Sequence, residues 1–168
     1  MKRQIREGLI VLVVTLALAA AAVVAFADSP HYVKGPSLVD NGLTATASGK
    51  IAGLGNGNVI VTLTFPNATA STLCTNQGGN SAPGQNPAAP VDVSGSKLIS
   101  RVKNGTITFS VTTDVPPAPS WDVAGCANSN WSASIADIHF GIGTLIVQQE
   151  TFQGSGVFVT VLTTQVTL

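Results

Sequence analysis

Charged side chains make up only 10% of this chain, eight basic and eight acidic among 168 residues. Three of the bases and one of the acids fall within the first seven positions, which leaves Lys34, Lys50, Lys97, Arg101 and Lys103 against seven carboxylates in the remainder. No run of basic residues is available to neutralise a phosphate backbone, so nucleic acid is not an expected partner. A surface so short of charge must be dressed in Ser, Thr, Asn and Gln, which suits an extracellular β protein. Histidine occurs twice, at His31 and His139, and neither a GxSxG elbow nor an HExxH pair is present. Asp137 and His139 alternate along one segment, and Asp28 lies near His31. A solitary strand histidine more often serves structure than proton transfer, so no catalytic residue is assigned and the chain is read as a non-enzyme. No calcium loop occurs, and two widely spaced cysteines cannot supply a metal site. No metal and no cofactor are therefore expected. The glycines from 53 to 57 resemble half a nucleotide fingerprint, but no helix follows, so they read as a turn.

What is present begins with an export signal. Lys2, Arg3 and Arg6 precede an apolar run over 9–27, ending in Ala25-Phe26-Ala27 and then the helix-breaking Asp28-Ser29-Pro30. This charged, apolar, small-residue order is that of a secretory signal peptide, with cleavage expected after Ala27. An uncleaved membrane anchor is the alternative, since the run approaches the roughly 20 residues that span a bilayer. A prepilin-type cut near Gly8 is a third reading, opposed by Pro30, which stops any helical extension. The expected organisation is a signal segment over 1–27 and one domain over 28–168, secreted or held at the cell surface. Membrane contact is expected only through an uncleaved signal. No wall-sorting motif or lipid-modified cysteine is visible as a covalent anchor. Cys74 and Cys126 form an even pair in an exported chain and imply one disulfide.

Beyond Pro30 the recurring signal has period two, rich in Val, Ile and Thr and punctuated by Gly, Pro and Asn. The clearest case is 106–112, where Ile107, Phe109 and Val111 alternate with hydroxyl side chains. With Asn104-Gly105 as its turn, this segment predicts a hairpin of 97–103 with 106–113. Further strands are predicted over 32–38 and 43–51 around Asp40-Asn41-Gly42, over 58–65 and over 69–76. Others follow over 131–140 and 144–152, with a kink at Gly141-Ile142-Gly143, and over 156–168 through Val157, Val159 and Val161. Seven to nine such strands with one disulfide predict an antiparallel, immunoglobulin-like sandwich, with a barrel as the alternative. Segments 77–96 and 115–130 are too polar and proline-rich for strands, and the disulfide is expected to fasten these loops to the sheet or to each other.

The two loops also hold the candidate ligand-binding residues. Asn76, Gln77 and Asn80 offer neutral amides on a glycine-rich backbone, and Trp121, Asp122 and Trp131 come from the second loop. Amides beside an indole face suit a sugar ring, so a glycan or another cell-surface component is a possible partner. The plainer reading is that Asn and Gly make turns while the tryptophans pack on the disulfide. Sequons at Asn67, Asn104 and Asn130 matter only in a host that glycosylates. The final alternating run, reaching Leu168, must pair internally or be offered to a neighbour, which leaves self-assembly by strand exchange open.

The DSPHYVKG start, the AGLGNGN turn, CTNQGGNSAPGQN around Cys74 and the WSASIADIHF strand together resemble a group of small exported bacterial proteins without assigned function. The resemblance implies an extracellular β-sandwich and carries over no catalytic residue. The expectation is thus a secreted, non-catalytic structural or binding module. A carbohydrate-binding module and a filament subunit stand as alternatives.

Overall fold

The computed structural model describes residues 29–86 and 89–168; the segment read as a signal peptide lies outside them. Nine strands form two antiparallel sheets with a shared apolar interior. The smaller sheet has the order β1-β2-β6, from β1 (His31–Asp40), β2 (Ala45–Ala52) and β6 (Ile107–Thr112). The larger is built on β3, a 20-residue strand from Gly57 to Asn76. Along one side of β3 runs β5 (Ala89–Val102), followed by the short β4 (Ser81–Pro83). Along its other side run β7 (Trp131–His139) and β8 (Ile142–Glu150), and β9 (Phe158–Thr167) pairs with the outer edge of β8.

The period-two reading accounts for the core. On β3, Val59, Val61, Leu63 and Phe65 point inward and are fully buried. Ile107, Phe109 and Val111 of β6 face them from the other sheet, joined by Ala45, Ala47 and Ile51 of β2. The Phe65 and Phe140 rings meet at a centroid distance of 5.1 Å. Leu54, in the middle of the glycine-rich turn, is 1% exposed and closes the core from below. At about 25 cal/mol per Å² of apolar area, each of these large side chains contributes roughly 1.5–3 kcal/mol by leaving water.

Four sequence expectations need correction. Residues 97–103 and 106–113 do not form a hairpin: Asn104 and Gly105 take φ of 60° and 61°, but the chain then crosses between sheets. β5 pairs with β3 while β6 pairs with β2. The Asn104-Gly105 turn is present, but the buried faces of the two arms belong to opposite sheets, which sends the arms to different partners. The strands expected at 58–65 and 69–76 are one strand. A register shift between Phe65 and Ala68 absorbs Pro66 and Asn67 and returns Ala68, Ala70, Thr72 and Cys74 to the inward face. Segment 77–96 is not all loop, since β4 and the start of β5 lie within it. The alternation expected over 156–168 does not hold: Val157 precedes β9 and is exposed, and within β9 a register shift opposite Val147 and Gln148 changes the inward positions, with Val166 buried.

The kink expected at 141–143 is real, with Gly141 at φ 66°. Register is nonetheless kept across it. Thr64 pairs with Thr144 and Thr69 with His139, the same number of steps on both strands, so β7 and β8 run as one interrupted strand along β3.

Candidate functional site

The large sheet is longer than the small one, and this difference shapes the Cys74 end. Strands β1, β2 and β6 span at most 10 residues, against 20 in β3. At roughly 3.3 Å per residue, the inward face of β3 around Thr72 and Cys74 extends past the cover of the small sheet. Segment 115–130 supplies the missing cover. Cys74 and Cys126 are disulfide-bonded with Cα atoms 5.6 Å apart, and with the fully buried Ala124 they form a small second core under Trp131 and Ala133.

Hydrogen bonds complete the clasp. The Thr72 hydroxyl donates to the Ala124 carbonyl at 3.2 Å, and the Gly84 amide donates to the Thr72 carbonyl at 2.9 Å. The Gln85 amide donates to the Gly125 carbonyl, and the Asn86 side chain to the Val123 carbonyl at 2.9 Å. Gly84 is required here, since a Cβ at that position would collide with the Thr72 hydroxyl and the Ala124 carbonyl. The disulfide thus ties the second loop to β3, and the hydrogen bonds of Gly84, Gln85 and Asn86 tie the first loop to both. With a sequence separation of 52, loop closure of this size stabilises by about 4 kcal/mol.

The six candidate residues separate into two groups. Asn76, Gln77 and Trp131 line one shallow cavity of about 230 Å³ with Asn130, Ser129 and Ser132. Asn76 pairs with Trp131 across the ladder. Its side-chain oxygen accepts from the Asn80 amide at 3.0 Å, so Asn76 and Asn80 shape the turn that carries Gln77. Trp131 is half-buried against the disulfide, as the plainer reading expected of a tryptophan there. Trp121 and Asp122 lie outside this cavity. Trp121 is 39% exposed, and its carbonyl accepts from the Cys126 amide at 2.7 Å. The Ser120 hydroxyl donates to Asp122, which lowers the Asp122 pKa from its ordinary value, and backbone amides add to the effect.

Nearby is a groove that sequence reading passed over. Pro90, Val91, Pro116, Pro117, Pro119 and Val123 line about 400 Å³ where β5 meets the second loop. Proline richness argued only against a strand, and gave no sign that two distant proline clusters would face each other. Asp137 and His139 are both exposed on β7, with His139 opposite Thr69. His31 sits opposite Ala52 at the far end of the small sheet, and Asp28 lies outside the described residues. Of the sequons, Asn67 is exposed at the β3 bulge, Asn104 sits in the sheet-crossing turn, and Asn130 lines the Trp131 cavity.

Among the described residues, no three His, Cys, Asp or Glu side chains gather as a metal site, and no helix is long and apolar enough to cross a membrane. No protein-family model matches the chain, and no curated protein or solved structure matches it.

Proposed function

We propose that the chain is a secreted, non-catalytic structural or binding module with an immunoglobulin-like arrangement of its sheets. One observation carries this reading. The covalent link and a group of hydrogen bonds between distant segments fasten two long loops over one end of a β-sheet. A stiff loop surface on a sheet scaffold is how binding modules hold residues in place before a partner arrives, which lowers the entropy lost on association.

A carbohydrate-binding reading is favoured by the Asn76, Gln77 and Trp131 cavity, where amides adjoin an indole. Trp121 is not part of that surface, so Trp131 should report binding alone. Titration of cell-wall and capsular glycans should quench the fluorescence of Trp131, and Gln77→Ala should weaken the response by about tenfold, the loss of one well-placed polar contact. A glycan panel that leaves Trp131 emission unchanged would remove the carbohydrate reading. A filament built by strand exchange is supported by the place of β9 at the end of the strand order. Only monomers in negative-stain images of the secreted protein would remove it.

A further inference from the structure

Of the five basic residues of the described chain, four that are scattered in sequence, Lys34, Lys50, Arg101 and Lys103, gather at one end of the fold. Two connections between the sheets mark that end: Ala52 to Gly57, and Val102 to Ile107, joined where the Leu54 amide donates to the Gly105 carbonyl at 3.0 Å. Lys34 and Lys50 face each other across β1 and β2, and Lys50 pairs with Thr108. Val102 pairs with Gly57, which places Arg101 and Lys103 beside the start of β3, and Lys97 pairs with Val61.

The aspartates of the described residues lie toward the other end. Asp40 begins the β1–β2 turn, and the Gly42 carbonyl in that turn accepts from the Ile138 amide. The Asp114 amide donates to the Ser94 carbonyl, Asp137 pairs with Ser71, and Asp122 sits in the disulfide loop. Asp92 falls between the partners of Phe65 and Ala68. Among the described residues Glu150 is the one carboxylate at the basic end, and it is 2% exposed and spent on backbone amides.

The basic end has both pockets and an apolar tip. Lys34 and Lys50 line a cavity of about 300 Å³ with the hydroxyls of Ser37, Ser48 and Thr108. Gly49 lies in its wall, where a Cβ would meet the Lys34 carbonyl and the Phe109 ring. Arg101 and Lys103 line a second cavity of about 350 Å³ with Asn56, Asn104 and Gln153. Arg101 is held at φ 56°, a region that side chains disfavour. Next to Gln153, Phe152 is 66% exposed at the tip of the β8–β9 connection, and Val157 in the same connection is 57% exposed. Ser29, to which the apolar segment 9–27 leads, also lies here, since His31 pairs with Ala52.

We infer that this end is a docking surface for an anionic lipid bilayer. The two cation-lined cavities take headgroup phosphates, and Phe152 enters the interface. Opposed like charges cost stability in a bare sheet, and a phosphate between Lys34 and Lys50 reverses the sign of that interaction. An aromatic tip beside a cluster of cations combines the two forces that hold peripheral proteins on anionic membranes. The described aspartates lie toward the opposite end, so the charge distribution also orients the molecule. The site is separate from the Trp131 cavity, and either can fail alone.

The test uses the chain from Asp28 onward, which holds every described strand and the disulfide, in sedimentation with vesicles. Vesicles of phosphatidylglycerol and phosphatidylcholine should retain the protein at low salt, and release it as salt rises past the screening range. Pure phosphatidylcholine should not retain it. Lys34→Gln with Lys50→Gln, and Phe152→Ser, should each lower the partition by about tenfold. Arg101→Gly with Lys103→Gln should do the same while keeping thermal stability, because glycine suits the left-handed position. Equal binding to both vesicle types, or undiminished binding by these variants, would overturn the inference. So would retention by dextran sulfate with none by anionic vesicles, which would assign the end to a soluble polyanion.

Discussion

Glu150 is the one buried carboxylate among the described residues. It accepts from the Gly156 amide at 2.9 Å and from the Asn58 amide at 3.2 Å, tying the β8–β9 connection to the start of β3. The Gly156 amide is the main reason its pKa falls below the ordinary value; burial opposes the shift, and Gly154 and Asn58 support it. Its neighbour Gln149, also buried, accepts from the Gly55 amide at 3.0 Å and fixes the glycine-rich turn. Because the folded-state pKa is depressed, the stabilisation from Glu150 is fully present above the unfolded value of about 4.3 and is lost as pH falls through the folded value. Glu150→Gln should therefore lower the melting temperature at neutral pH and flatten the decline in stability below pH 4. A variant that melts like the parent at pH 7 and declines as steeply in acid would show that the carboxylate holds nothing.

At the scale of elements, the strands were legible wherever one face is buried and the other wet. Ile107, Phe109 and Val111 announce β6, and Val59 to Phe65 announce the first half of β3, because period two is a direct record of burial on one face only. Partnership between strands was not legible. Lys97 to Lys103 and Thr106 to Thr113 share a good turn, yet the apolar faces of β5 and β6 belong to opposite sheets. Pro66 and Asn67 look like a strand end, because a bulge and a break leave the same local mark. Polar composition hid β4 and the head of β5, which exist through pairing with β3. Of the candidate site, the disulfide and the loop clasp were readable. The cation cavities were not, because Lys34, Lys50, Arg101 and Lys103 are joined only by topology. Gly84 is equally silent in sequence, yet it admits both Thr72 and Ala124 to the clasp. Gly84→Ala should destabilise the protein by about 1–3 kcal/mol, the usual cost of overpacking. Denaturant unfolding checks this, and a midpoint unchanged from the parent would mean that the two loops are not in contact there.

For the whole molecule, the unequal length of its two sheets matters most. The small sheet covers the inner face of β3 near Val59 to Phe65, where the large side chains sit. Past Ala70 the inner side chains are small, and the disulfide loop with Ala124 takes over. This division gives the molecule two ends of different chemistry: a loop-clasped acidic end and a pocketed basic end. Amide hydrogen exchange on the oxidised and the reduced protein tests the division most directly. With Cys74 and Cys126 reduced, amides at 70–76, 84–86 and 123–126 should lose protection by orders of magnitude, while those at 59–65, 107–111 and 145–147 keep theirs. Uniform loss across both groups, or no loss in the first, would contradict an overhang covered by the tethered loop.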